Sequence, residues 1–526
     1  PIEGPEASYA VLLKAPNGRL FIFYNHNTEN TREIKATVGP SFPDGICRRV
    51  DSQGSFVFKY SDDHGQSWSP HRIAIPQRLF EIDRENPYGG ERLFFWNVGK
   101  AFAHQGKAFV PLHKVGEMGD GFFVRSEGSL LASEDLFTVE DPAEATWETL
   151  PEGEIGIRAP EGGNTVGEEH SFAVLSDGSF YVIYRTIAGF PATSISRDAG
   201  RTWAEPKFLC YANGRRVKNP RAANFLWRCS NGRYLYWFHN HGGERLQDLP
   251  NVRSDAYNDR NPVWLAGGVE VNTPEGKSIQ WSQPEVLLYD DDPLIRMSYP
   301  DFVETAEGYF FTETQKDLAR THPVENSLVE GLWNQFSEDS QVTRRGLLLE
   351  TNSEDPLVKL PDLPAFITRD FERGDYGTKN LRNGCTVDLR VDAAALQPGE
   401  MLLDNRDQQG QGFCLQVGSD RSLEFLAFDR LSRIHLVGDP ALLGDVGEVA
   451  VSVVLDGGPK ILFYVINGIL DDGGDRRQFG WERFNPHFRS LHGSPELKKH
   501  PGVKSLRLYD RAVRVSELVQ NHRASV

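Results

Sequence analysis

The side chains in this chain that could do chemistry stand at matching places, each at one end of a strand-like run. Before such runs come Trp96, Asn97 and Lys100, then Glu168, Glu169 and His170, then Asn219 and Arg221, then Tyr299 and Asp301. After such runs come Asn25, His26, Asn27, Arg48 and Arg49, then His113 and Lys114, Arg185, His239 and His241, and Glu313 with Lys316. Any one of these is as readily a turn former or a solvated strand end. As a set, packing does not call for them. Cleaving a glycosidic bond takes two carboxyl groups, one to protonate the leaving oxygen and one to act as nucleophile or base. Glu169 (or Glu168) as acid and Asp301 as base or nucleophile would be that pair. Successive strand side chains face opposite ways, so only one of the two adjacent glutamates is expected in the site. Arg221, Arg185, Arg49, His239, His241, Asn97, Lys100 and Glu168 would hold the sugar. His170 and Tyr299, joined by the arginine and histidine groups, also suit β-elimination at a uronate. A polysaccharide lyase and a non-catalytic glycan-binding protein therefore stand as alternatives to a hydrolase.

The elements that must position these groups are hairpins. One phrase, strand, Xaa-Gly turn, aromatic strand, recurs at residues 8–25, 100–114, 170–185, 223–240 and 300–316. The two-residue turns and the β-branched, aromatic flanks with period near two exclude a helical reading. Repeats of this size suit the four-stranded blades of a propeller, where the starts of the inner strands converge on one mouth. Five blades are expected over 1–355, with six as the alternative.

Two segments between hairpins read S-x-D-x-G-x-[ST]-W: Ser61 to Trp68 and Ser196 to Trp203. Weaker echoes stand at Ser133-Glu134-Asp135 with Trp147 and at Ile279 to Ser282. This pattern resembles the Asp box of sialidase-like β-propellers, a superfamily of carbohydrate-active enzymes. The resemblance implies that Asp63 and Asp198 tie outer turns and do no catalysis, and that Trp68 and Trp203 are buried. Sialidases also carry an Arg-Ile-Pro motif on the first blade, where this chain has Ala7-Ser8-Tyr9-Ala10-Val11-Leu12. The substrate expected is therefore a sugar other than sialic acid, released by exo-acting hydrolysis of a polysaccharide or glycan.

From about 362 the texture changes to short, closely spaced alternating strands, ending in Val503 to Val513 with Ser516-Glu517 behind. That ending resembles laminin-G and concanavalin-like β-sandwiches (jelly rolls), and a separate domain is expected over 362–526. The fold class is thus all-β, a propeller followed by a sandwich. A net charge of −17 with no basic stripe argues against nucleic acid and leaves a carbohydrate as the partner. Five scattered cysteines form no zinc pattern and no disulfide framework; a Cys210–Cys229 bridge is the alternative to free thiols. No cofactor is called for beyond room for a structural Ca2+. No apolar run reaches the ~18 residues of a membrane span. The chain opens at Pro1 without Met, so its start is expected to have been removed, and an extracellular or periplasmic location is expected.

Overall fold

A computed structural model describes residues 6–242, 260–314, 318–375, 377–444 and 447–525. It is an all-β protein, 44% strand and 6% helix. Each of the five hairpins forms, and each turn glycine (Gly18, Gly106, Gly178, Gly232, Gly308) has positive φ, the conformation a tight two-residue turn demands.

Each hairpin grows into its own antiparallel sheet. The first sheet holds Ala7–Lys14, Leu20–His26, Ser55–Ser61 and Ile73–Ala74. The second is built on Phe102–His104, Lys107–Gly119, Phe122–Ser133 and Glu148–Leu150, with Phe95–Trp96 beside them. The third holds Glu168–Val174, Phe180–Arg185, Ala192–Ser196 and Lys207–Phe208. The fourth holds Phe225–Arg228, Tyr234–Phe238, Val263–Thr273 and Gly276–Trp281, and the fifth Ser298–Thr305, Gly308–Thr314 and Ala319–Val324. Neighbouring sheets interlock through aromatic rings. Phe56 meets Phe95, Phe109 meets Phe180, Tyr181 meets Trp281, and Trp227 meets Phe302. Edge-to-face and tilted rings of this size fill the wedge between two twisted sheets that aliphatic side chains would leave open.

The S-x-D-x-G-x-[ST]-W segments are hydrogen-bonded identically. Asp63 accepts from Ser61 Oγ (2.8 Å), Ser67 N (2.8 Å) and Ser67 Oγ (2.6 Å). Asp198 accepts from Ser196 Oγ, Thr202 N and Thr202 Oγ1 at 2.8, 2.9 and 2.6 Å. The echo at Asp135 keeps the same three bonds, to Ser133 and Thr146, across a longer insertion. Trp68 and Trp203 are half-buried, not buried as expected, because each rides the rim of an outer turn.

By contacts the chain divides into one compact unit of 1–260, 268–281 and 296–323 and another of 261–267, 282–295 and 324–526. The expected boundary at 355–362 lies later than this division. Leu347–Thr351 already pairs with Val503–Tyr509, because its strand completes the last sheet. The second unit contains a seven-stranded and a six-stranded sheet whose inward side chains, Val387, Leu389 and Val453 from one and Leu403, Phe413 and Phe425 from the other, share one core. All five cysteines are free thiols, Cys210 exposed and the others buried. Among the described residues no helix is long and apolar enough to cross a membrane.

The hydrogen bonds from Ser67 and Ser61 hold the Asp63 carboxyl at about 2. A carboxyl depressed from an ordinary value of about 3.9 contributes stability above that value and loses it as pH falls toward about 2. The gap in Tm between wild type and Asp63→Ala should therefore be constant from pH 7 to 5 and close as the pH falls below about 4. Thermal unfolding across this range checks it; a gap that ignores pH would show that the ionised carboxylate does not hold the turn.

Candidate functional site

The inner strands of three sheets begin with the same irregularity. Ser8 pairs with Asn25 and Val11 with Phe23, Glu168 with Arg185 and Ser171 with Ile183, Ser298 with Thr314 and Asp301 with Thr312. In each case one extra residue is squeezed in, a β-bulge. The bulged residues are Tyr9, Glu169 and Tyr299, with φ of 57, 57 and 47°. Each stands nine positions before its turn glycine. The same count from Gly106 and Gly232 reaches Asn97 and Ala223. Non-glycine side chains in the left-handed region cost roughly 1–3 kcal/mol each, and such strain concentrates at functional sites.

Two of the bulges, Glu169 of the third sheet and Tyr299 of the fifth, meet among charged groups. Tyr299 Oη donates to Glu169 Oε1 at 3.1 Å. Arg185 reaches Glu169 Oε2 with Nη1 (2.9 Å) and Glu168 Oε1 with Nε (3.1 Å). Arg221 donates from Nε to Glu168 Oε1 (2.7 Å) and from its two Nη groups to the carbonyls of Gly121 and Phe123, both at 2.6 Å. Arg260 lies 5.9 Å from the centre of the Tyr299 ring and donates to Ser298 Oγ. Glu168, Glu169, Arg185, Arg221 and Arg260 are all buried.

Their titrations diverge. Burial alone would raise the Glu168 carboxyl, but Arg185 and Arg221 overcome it and hold the group at about 2. Burial raises Glu169 and wins; Arg185 resists it and the Glu168 charge reinforces it. Two adjacent carboxyls pushed apart in this way can take different roles in one reaction. The expectation that only one glutamate faces the site is corrected: the bulge breaks strand alternation, and both meet Arg185.

A second cluster stands at the first bulge. Tyr9 donates to Asp51 Oδ2 (2.5 Å), and Arg49 pairs with Asp51 and donates to Tyr9 Oη. The Arg49 guanidinium stacks over Trp96 and Phe122, 4.8 and 4.2 Å from their ring centres.

The other expected residues divide. Asn97 is buried, and Lys100 is partly exposed. Asp301 does not join the buried group: it is exposed, 3.1 Å from Lys100 Nζ, because it lies two residues past the bulge on a different face. His170 is packed between sheets, its ring stacked on Tyr184 at 4.3 Å, and a Cβ on Gly128 would lie 2.3 Å from its Nε2. Burial drops it to about 3, so it is a neutral core histidine. His239 and His241 are buried, with the His239 backbone N–H on Asn219 Oδ1. Lys114 forms a buried ion pair with Asp83, Arg48 an exposed one with Asp44, and Glu313 is paired with Arg320. Lys316 lies outside the described residues.

Sequence reasoning missed Tyr9, Asp51 and Arg260. Aligning the hairpins on their turn glycines would have found Tyr9; nothing local marks the other two. Among the described residues no group of three or more His, Cys, Asp or Glu side chains is arranged to hold a metal.

A family model described as "BNR repeat-like domain" matches residues 4–312. No curated protein matches the chain. Similar solved structures include an intramolecular trans-sialidase from Ruminococcus gnavus (15% identity, 61% of this chain and 78% of that one, TM-score 0.35). A Trypanosoma rangeli sialidase is also similar (12%, 98% and 93%, 0.34), as is a protein of unknown function from Dyadobacter fermentans (15%, 53% and 76%, 0.32). These likenesses carry no function over to this chain.

Glu168 is the counter-charge of two buried arginines, and removing one member of such a group costs about 3–5 kcal/mol. Glu168→Gln should therefore destabilise the protein by about that amount, read as a fall in the urea midpoint by tryptophan fluorescence. An unchanged midpoint would show that Arg185 and Arg221 do not depend on it.

Proposed function

The chain belongs to the BNR repeat-like family, and from that premise we propose that it is a glycoside hydrolase whose nucleophile is Tyr299 and whose base is Glu169. We take its five N-terminal sheets as the blades of a five-bladed propeller with the active site at the hub, and the C-terminal unit as a laminin-G-like sandwich. One observation carries the reading: the Tyr299 hydroxyl donates to a buried carboxylate, and both groups sit on strained bulges of separate sheets. A nucleophile hydrogen-bonded to a base that is oriented by a third group is the common arrangement of covalent catalysis, and Arg185 is that third group. Glycosidases with a tyrosine nucleophile are an established variant.

In this reaction the Tyr299 oxygen attacks the anomeric carbon while its proton passes to Glu169. The glycosidic bond breaks, and the leaving oxygen takes a proton from a carboxylic acid. Glu168 cannot supply it, being held ionised at about 2. Asp51 is our choice, since it bonds Tyr9, the register mate of Tyr299 and Glu169, and, unlike the fully buried Glu168 with its two arginines, it is partly exposed and faces one, Arg49. Water, deprotonated by Asp51, then attacks the anomeric carbon; the Tyr299 oxygen leaves and takes its proton back from Glu169, with overall retention of configuration. The substrate we propose is a terminal sugar other than sialic acid, consistent with the lack of an Arg-Ile-Pro motif in the stretch Ala7 to Leu12. Elimination gains no support from the geometry, because His170 is walled in between Tyr184 and Gly128.

Tyr299→Phe and Glu169→Gln should each lower kcat on the 4-nitrophenyl glycoside the protein hydrolyses by roughly 10²–10⁴-fold while far-UV circular dichroism is unchanged. Asp51→Asn should slow unactivated glycosides more than 4-nitrophenyl ones, and Asp301→Asn should change neither. Glu169 must be ionised to act as base and its pKa is raised, so activity should climb with pH through a value above the ordinary glutamate range. Inverted product by NMR, or full activity in Tyr299→Phe, would overturn the assignment.

A further inference from the structure

His113 has two ring nitrogens in different situations. Its Nδ1 lies 3.4 Å from the backbone N–H of Glu169, a group that can only donate, so Nδ1 is the acceptor. Burial drives the ring's pKa well below its ordinary value, Arg185 and Arg221 push the same way, and Glu168 resists. A neutral imidazole carries one proton, which must then sit on Nε2. That Nε2–H is buried and has no hydrogen-bond partner among the described residues.

Two neighbours share this condition. Trp96 is the cross-strand partner of His113, with ring centres 6.4 Å apart, and its Nε1–H has no partner among the described residues. Asn97, 1% exposed, has both amide atoms without one. Asn97 also occupies, in its own sheet, the register position that Glu169 and Tyr299 hold in theirs. Buried polar groups are nearly always hydrogen-bonded, so three such side chains at one end of one sheet call for something to satisfy them.

We propose that His113 Nε2–H and the Asn97 amide form a subsite for an uncharged oxygen of the substrate sugar, a hydroxyl foremost, beside the Glu169–Tyr299 pair. The inference rests on reading the hub as a glycosidase active site. A hydroxyl accepts from His113 Nε2–H and donates to Asn97 Oδ1, which satisfies both. A carboxylate would meet the ionised Glu168, whose charge already acts on the His113 ring. His113 thus does two things: Nδ1 holds the strained Glu169 backbone, and Nε2 reads the sugar.

Two substitutions separate these roles. His113→Asn keeps a polar atom near the Nδ1 position and has none at Nε2; His113→Gln does the reverse. The probes are the 4-nitrophenyl glycoside that wild type turns over fastest and its mono-deoxy analogues. Wild type should lose about ten-fold or more in kcat/KM on one deoxy analogue, the effect of one lost hydrogen bond with a buried partner left unpaired. His113→Asn should show that loss already on the parent glycoside, lose nothing further on that analogue and keep the wild-type pH profile. His113→Gln should keep the discrimination and shift the acid limb set by Glu169. If His113→Asn discriminates among the deoxy analogues as wild type does, the subsite is wrong. Should Tyr299→Phe prove fully active, the reaction reading falls alone. The subsite is then decided by calorimetry of the parent and deoxy sugars with wild type and His113→Asn: a wild-type preference for the parent that the variant lacks supports it, and equal preference overturns it.

Discussion

One buried carboxylate holds the cluster of charged side chains together. Glu168 Oε1 takes hydrogen bonds or ion pairs from Arg185, on the second strand of its own sheet, and from Arg221, ahead of the fourth sheet. Arg221 in turn spends its remaining donors on the Gly121 and Phe123 carbonyls at the tip of the second sheet's long hairpin. Glu168 and Arg221 together thereby tie the third sheet to the second sheet's hairpin and to the segment leading into the fourth. Burying these charges is costly in itself, and such a group is weak evidence for stability; what it supplies is a unique arrangement, since any shift leaves an arginine unpaired.

That lock makes the strained backbone beside it tolerable. Glu169 follows Glu168 directly, and its left-handed conformation turns its carboxyl back toward Arg185 and Tyr299. A regular strand would have sent it to the opposite face. The His113 ring adds a second constraint by accepting the Glu169 N–H. Backbone strain of this kind persists only where the surroundings over-determine it, and here a side chain on either side of the peptide does so.

The hairpins could be read from sequence because a tight turn has strict requirements: Xaa-Gly between alternating aromatic strands admits few other structures. The tied outer turns were legible for the same reason, since Ser, Asp and Thr at fixed spacing satisfy one another locally. The bulges were not. An inserted residue leaves no local mark, and position at a strand start, the reason for expecting Asp301 in the site, does not reveal that it faces Lys100 and solvent. His170 differs: its place at a strand start suggested chemistry, yet its ring is packed against Tyr184, and the glycine that makes room for it, Gly128, lies on a distant strand. Arg260 is brought to Tyr299 by tertiary folding alone. The C-terminal boundary was placed late because Leu347–Thr351 has ordinary strand composition, and only its pairing with Val503–Tyr509 assigns it.

The charges of this buried cluster bear on how the proposed reaction is driven. Arg185 and Arg221 face Glu168 and, once it is ionised, Glu169, so those four groups balance. Arg260 lies beside the Tyr299 ring, the group that gains negative charge as its proton leaves for Glu169. A fixed guanidinium in a water-poor site stabilises such a developing charge without reorganising, and in many enzymes electrostatic help of this kind supplies most of the rate enhancement. In the sugar's ground state no such charge exists, so the interaction favours the transition state over bound substrate, the condition for raising kcat. The chain's net charge of −17 agrees with this from outside the site. Binding here does not depend on a long-range field attracting an anion. On the proposed reading it depends on a small set of buried donors that the surrounding sheets hold in place before a substrate arrives.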